Sequence, residues 1–426
     1  MNVAVIGIGR IGLPLSAAIA GAGHQVFGCD INAERVALVN RGENPIPDEA
    51  GLGELLRRVV ASGHLRATTD TIAAVGECEA VLFAVAVDVN DEGTADLTPL
   101  FAAADTVGRG IRPGTLCIFD TTLPVGTTRA ELAPRLESGG LTLGRDFSVA
   151  FSPERLLMGR VIEDLKKYPK LVGGVDPEGG PRAAAFYKRA FGDDANVRVL
   201  ANAETAELTK LAEGAYRDLN IALANELAQV ADAYGIDIAE VTGAANSQPY
   251  SHIHTPGTGV GGHCIPVYPR FLIQGRGPSA LSSLGRDVND AMPRYAAERV
   301  AGLIGGLEGK RVLILGLTFR PNVAVTPHTN AVDLLREFAS RGAVVRGHDA
   351  LLSEAGVRSL GFEPATEPLA GYDVAVVHAY HDAYQAYDWR RIAPLVLDAR
   401  NAMDRAAVEA AGVRYLGIGR PVSVGE

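Results

Sequence analysis

Cysteine is scarce in these 426 residues: there are four, with no CxxC pair and none set among histidines at a metal-ligand spacing. That pattern disfavours both a disulfide framework and a zinc site, so no metal is expected and a cytoplasmic location is. Basic runs are missing too. The net charge is −10, with no lysine- or arginine-rich block, which argues against nucleic acid or an anionic membrane surface as the main partner. Any phosphate must then be held by backbone donors and single arginines. The start, "MNVAVIGIGRIG", lacks a basic segment followed by a long apolar one, so neither a secretion signal nor a membrane span is expected. What remains is an ordinary globular composition, 47% apolar and 21% charged, in a chain long enough for two or three domains.

In the first third, "NVAVIGIG", "HQVFGCD", "AVLFAVAV", "TLCIFDTT" and "FSVAFS" alternate with alanine- and leucine-rich stretches. That rhythm predicts buried parallel strands with crossover helices. Leu208, Leu211, Ala215, Leu219, Ala222, Leu227 and Val230 then recur at helical spacing without proline. They predict one helix over Ala203–Tyr234, roughly 45–50 Å long at ~1.5 Å per residue, of the kind that bridges domains or builds a subunit interface. An irregular Gly/Pro stretch over Asn246–Gly277 and a helix over Asp290–Leu307 follow. "KRVLILGLTF", "GAVVRGHD", "YDVAVVHA" and "APLVLDARN" predict a second Rossmann-like domain. The expected fold is α/β: two Rossmann-like doubly wound domains joined by a long central helix and a helical dimerisation region. The expected boundaries are 1–200, 201–305 and 306–426.

Gly7, Gly9 and Gly12 form GxGxxG between the first strand and a helix, with Asp30 closing the second strand. Glycines there permit a tight turn and let a pyrophosphate approach the helix N-terminus, and an acid at position 30 suits free ribose hydroxyls, hence NAD rather than NADP. Arg10 and Ile11 lie inside the same turn. Arg35 serves either the adenosine end or a solvated helix face. Thr122 in "DTTLPVGTTR" and Glu154 with Arg155 in "FSPERLLMGR" sit at C-terminal strand ends, where ligands bind in open sheets, although each is also an acceptable polar turn. Lys210, Gly214 and Arg217 share one stripe of the long helix and, on spacing alone, read as a solvated polar face. Cys264, in "GTGVGGHCIPVYP", stands among glycines and prolines, unlike Cys29 and Cys117 in their apolar runs.

GxGxxG with Asp30, "TTLPVGTT", "FSPER" and "GVGGHCIPVYP", together with "TKLAEGAYRDLNIALANELA" and "LGLTFRPN", make six motifs in the order seen in the nucleotide-sugar 6-dehydrogenases. The chain resembles this UDP-glucose/GDP-mannose dehydrogenase superfamily over nearly its whole length. The histidine before the cysteine and the "IPV" after it look like the branch acting on UDP-N-acetylhexosamines such as UDP-N-acetylmannosamine. The resemblance implies oxidation of a sugar C6 alcohol to a carboxylate with two NAD, through a thiohemiacetal and a thioester on Cys264. It assigns oxyanion stabilisation or proton transfer to Lys210, and the nicotinamide end and hydrolytic water to Thr122 and Glu154. Arg155, Leu156, Gly214, Arg217, Gly261, Tyr268, Phe319, Arg320 and Arg400 fall on positions expected to meet the UDP-sugar. A homodimer through the central helix is implied as well.

Several positions depart from the family pattern. Gly214 replaces an asparagine, Tyr268 an aspartate, Tyr250 an inter-subunit arginine, Arg320 a lysine, Pro327 an arginine and Val87 a threonine. Gly214 and Tyr268 are expected to compensate each other, space vacated at one accepting the ring of the other. The rival readings are UDP-glucose or an unusual nucleotide-sugar as substrate, a β-hydroxyacid-type dehydrogenase that makes no use of Cys264, and an NAD-bound protein with a decayed site.

Overall fold

A computed structural model describes residues 1–90, 93–156, 159, 161–165 and 167–422. The chain divides into two compact units, Met1–Glu213 with Arg270–Gly277, and Gly214–Pro269 with Pro278–Glu426. The first unit contains strands β1 (Asn2–Ile6), β2 (Gln25–Cys29), β3 (Leu65–Thr68) and β4 (Ala80–Phe83), a two-stranded hairpin of β5 (Asp88–Val89) and β6 (Ala95–Asp96), then β7 (Leu116–Phe119), β8 (Ser148–Phe151), β9 (Lys170–Gly174) and β10 (Val197–Leu200). Its eight-stranded sheet runs β10-β9-β8-β7-β4-β1-β2-β3. Both faces are covered, as a doubly wound sheet requires: Val3, Val5 and Leu82 join the cluster beneath the helix Gly12–Gly21, while Phe83 and Phe119 stack at 4.2 Å.

The five strands expected from the sequence, β1, β2, β4, β7 and β8, pair parallel with one another. β9, which the sequence reading did not include, runs antiparallel to β8, Ala150 opposite Gly174. Among the described residues between β8 and β9 only the four-residue helix Val161–Asp164 appears, and a parallel neighbour would need a longer crossover. The last residues of "FSPERLLMGR" include Leu157, Met158 and Arg160, which lie outside the described residues.

Strands β11 (Arg311–Leu315), β12 (Val344–His348), β13 (Glu363–Pro364), β14 (Val374–Val377), β15 (Leu395–Asp398) and β16 (Arg414–Gly417) make the parallel sheet of the second unit, in the order β13-β12-β11-β14-β15-β16. Alternate residues of β11 divide between its faces. Val312 and Ile314 pack with Met292, Leu334 and Phe338, and Leu313 and Leu315 pack with Tyr384 and Trp389. Both units are therefore Rossmann-like. Among the described residues no helix is long and apolar enough to cross a membrane.

The long helix spans Ala203–Tyr234, its predicted extent. Its buried stripe agrees with the predicted one at Leu211, Ala215 and Ala222 and departs from it at two positions. Leu208 and Val230 are about half exposed, whereas Ala203, Ala206, Leu211, Ala215, Ala222, Ala228 and Ala231 are buried. Alanines bring a helix backbone close to its neighbours, so the inward face of this helix is set by small residues. The later helix begins at Ala280, ten residues before its predicted start, and runs to Ile304 with Pro293 inside it. The stretch read as irregular contains a short helix, Tyr268–Ile273.

Candidate active site

In the first unit the glycine turn has one permitted shape. Gly7 has φ +85°, and a Cβ on Gly12 would lie 1.9 Å from the Gly7 carbonyl oxygen, so no side chain is tolerated at position 12. The space over Gly9 is open, with nothing within 4 Å of a Cβ there. The helix Gly12–Gly21 has no side-chain cap from Ile11; the Leu13 amide donates to the Gly9 carbonyl at 3.1 Å and Pro14 carries no N–H, so the backbone itself closes the first turn. Asp30 Oδ2 accepts from the Ile8 amide at 3.1 Å and from Arg35 Nη1 at 3.1 Å, and Oδ1 accepts from the Asn32 amide at 2.9 Å. Arg35 is thus paired to Asp30, while Arg10 pairs with Asp48 at 2.7 Å. A cavity of about 290 Å³ opens beside Gly9, Arg10, Asn32 and Arg35.

Thr122 is buried just beyond β7, and Glu154 lies three residues beyond β8. Lys170 Nζ is 2.9 Å from Glu154 Oε2, with both side chains about nine-tenths buried. Arg155 pairs with Glu213 at 2.7 Å, Leu156 packs on the core, and Lys210 is half-buried on the long helix. Glu207, fully buried one turn before Lys210, accepts from the Gly126 and Thr128 amides at 2.6 and 2.9 Å and from the Thr128 hydroxyl at 2.6 Å. It ties "TTLPVGTT" to the helix.

Beneath Thr122 lies Asp120, buried, accepting the Tyr187 hydroxyl at 2.9 Å. Desolvation pushes its carboxyl well above the usual range; Lys170 pulls it back and Glu154 pushes it further up. A carboxyl raised in the folded state binds its proton more tightly there than in the unfolded chain. Its stabilisation is complete below the ordinary aspartate value of about 4 and is lost as pH rises through the folded value. Asp120→Asn is therefore expected to flatten the decline in stability above about pH 4. Urea midpoints measured against pH check this, and an unchanged slope would contradict it.

In the second unit Cys264 is exposed, and it receives a hydrogen bond from the Tyr268 hydroxyl at 3.3 Å. Tyr268 is buried against Gly214: a Cβ at position 214 would sit 3.1 Å from Tyr268 Cβ and 3.2 Å from its Cδ2. A mid-helix glycine costs about 1 kcal/mol relative to alanine, and this ring is what occupies the space gained. Arg217 is exposed on the same helix. Phe319 Cβ is 3.1 Å from the place a Cβ on Gly261 would take, and Arg320 lies over the Phe319 ring at 5.7 Å. Arg400 Nη1 donates to the Gly259 carbonyl at 2.6 Å. Desolvation lowers its guanidinium to about 10 against the pull of Asp398, which leaves it protonated at neutral pH. Gly261, Phe319, Arg320 and Arg400 thus gather around one glycine loop.

A buried polar network fixes that loop, and sequence reading missed it. The Gly257 amide donates to Asn225 Oδ1 at 2.9 Å, and Asn225 Nδ2 donates to Asn289 Oδ1 at 2.8 Å. Asn289 Nδ2 and Arg286 Nη1 both reach Asp218 Oδ1, at 2.8 and 2.7 Å. The signal was present: Asp218 and Asn225 fall seven apart on the stripe of Leu211, Ala215 and Ala222, polar residues at apolar positions.

Known proteins match along this whole arrangement. Residues 1–191 match the NAD binding domain of the UDP-glucose/GDP-mannose dehydrogenase family, 204–290 its central domain and 313–405 its UDP binding domain. The UDP-N-acetyl-D-mannosamine dehydrogenase of Salmonella typhimurium is 34% identical over 417 residues, 90% of this chain and 94% of that protein. The chain belongs to the UDP-glucose/GDP-mannose dehydrogenase family. The NDP-N-acetyl-D-galactosaminuronic acid dehydrogenase of Ralstonia solanacearum is 33% identical, covering 94% of this chain and 95% of that one. A solved UDP-D-ManNAc dehydrogenase from Pyrococcus horikoshii superposes with a TM-score of 0.89 at 30% identity over 99% of each chain. Family membership makes the chain an NAD-dependent nucleotide-sugar dehydrogenase, and its likeness is greatest to the UDP-N-acetylhexosamine branch.

Proposed function

We propose that the chain oxidises the C6 alcohol of a UDP-N-acetylhexosamine to the carboxylate, with Cys264 as nucleophile. The observation that carries this reading is the placement of Cys264: the exposed thiol of the four, on a glycine loop, with a phenol hydrogen-bonded to its sulfur. NAD, which we assign to Gly7, Gly9, Gly12 and Asp30, would supply the hydride acceptor for each of two oxidations of the sugar carbon. Between them the Cys264 thiolate adds to the aldehyde carbon, forming the C–S bond while the carbonyl oxygen takes a proton. Once that carbon is oxidised to a thioester, water adds, the C–S bond breaks and the thiolate returns. We assign the developing oxyanion to Lys210, and the nicotinamide end and the hydrolytic water to Thr122 and Glu154, with Lys170 holding Glu154 in place.

We assign the UDP-sugar to Arg155, Leu156, Gly214, Arg217, Gly261, Tyr268, Phe319, Arg320 and Arg400. The aromatic face of Phe319 and the guanidinium groups of Arg320 and Arg400 suit a base and a diphosphate. The three-part division at 1–200, 201–305 and 306–426 is retained in this reading, supported by the three family matches. A homodimer through the central helix is part of it. Tyr216, Leu223, Val230 and Tyr234 are each about half exposed or more along one helix, an apolar stripe that a second copy would cover.

The test is a panel of nucleotide-sugars followed by NADH formation. A UDP-N-acetylhexosamine is expected to give the highest kcat/KM. UDP-glucose preferred over every N-acetylated sugar would overturn the substrate assignment.

A further inference from the structure

We infer that Tyr268 is a positioning residue for the nucleophile, its hydroxyl donating to Cys264 Sγ and favouring the thiolate. The inference rests on the reading of Cys264 given above. The Tyr268 amide donates to the Cys264 carbonyl at 3.0 Å, so one helical turn links the two residues. Side chains four apart on such a turn share a face. The Tyr268 hydroxyl reaches the sulfur at 3.3 Å. A neutral donor stabilises a developing thiolate, whereas a carboxylate at the same place would repel it.

The phenol is not free to swing away from the sulfur. Tyr268 is 8% exposed, with its Cβ and Cδ2 at 3.1 and 3.2 Å from the place a Cβ on residue 214 would take. Contacts between 3.0 and 3.4 Å leave no slack, so any side chain at position 214 moves the ring. Gly214 and Tyr268 therefore form one device: the missing side chain seats the ring, and the seated ring aims the hydroxyl.

The test is the pH dependence of Cys264 alkylation by iodoacetamide, resolved by peptide mass. Cys29, Cys78 and Cys117 are buried and do not compete. Tyr268→Phe keeps the ring and removes the donor. Its midpoint is expected to rise by about one pH unit, slowing alkylation about tenfold below the midpoint. Gly214→Ala is expected to raise the midpoint in the wild-type background and to add nothing in the Tyr268→Phe background. A ring that only fills space would change the melting temperature and leave the midpoint where it was. A Tyr268→Phe profile that superimposes on wild type, or a Gly214→Ala shift equal in both backgrounds, overturns the inference. Cys264→Ser separates the two failures. If it abolishes acid formation while Tyr268→Phe leaves the profile unmoved, this inference alone is wrong; if it leaves acid formation intact, the nucleophile reading is wrong.

Discussion

Cys264→Ser is expected to lower carboxylate formation by about 10³-fold or more, the scale of loss when a covalent nucleophile is removed. A serine hydroxyl is a weak nucleophile without a base dedicated to it, and the captured intermediate of the second oxidation no longer forms. No other cysteine substitutes. Cys29, Cys78 and Cys117 are buried, and desolvation pushes each thiol up to about 12, far from its reactive form at neutral pH. Because Cys264 is exposed, the substitution leaves the melting temperature within about 2 °C of wild type. Product mass and thermal unfolding of the same preparation check both halves of the prediction. Acid formation within tenfold of wild type would favour a dehydrogenase that makes no use of the thiol.

The second large effect is on stability. Asp218 is fully buried and Arg286 4% exposed, with 2.7 Å between them. Arg286→Met strands the carboxylate without its cation, and breaking a buried pair in this way costs about 3–5 kcal/mol. For a unit of this size that is a drop in melting temperature of roughly 6–20 °C. Asp218→Asn combined with Arg286→Met should recover much of the loss, since no uncompensated charge remains. The damage extends to the nucleophile loop, because Asn289 and Asn225 connect this pair to the Gly257 amide. Activity is therefore expected to fall at temperatures well below the melting point. Calorimetry of the single and double variants checks this, and a shift below about 3 °C for Arg286→Met would contradict it.

Much of the fold was legible because it rests on local signals. Strands with branched residues, GxGxxG at a strand–helix junction and a long helix without proline all declare themselves within a short window. The mutual accommodation of Gly214 and Tyr268 was legible for a different reason, since both depart from one family pattern. The antiparallel β9 was not, because strand direction depends on what lies between strands and not on the strand itself. Lys170, Glu207 and Arg286 were also missed. Each is a charge whose role depends on a partner 16, 79 or 68 residues away in the chain, and periodicity within one element carries no trace of such a partner. Leu208 and Val230 were wrongly placed on the inward stripe of the long helix because a large apolar residue outranks alanine in a hydrophobicity pattern, while close packing reverses that order.

The central claim is that one active site carries a sugar alcohol through two successive oxidations by way of Cys264. Counting NADH released per UDP-N-acetylhexosamine consumed, at limiting sugar and excess NAD, tests it most directly. The account predicts two NADH and a carboxylate product. One NADH, with the aldehyde as the end product, would contradict it.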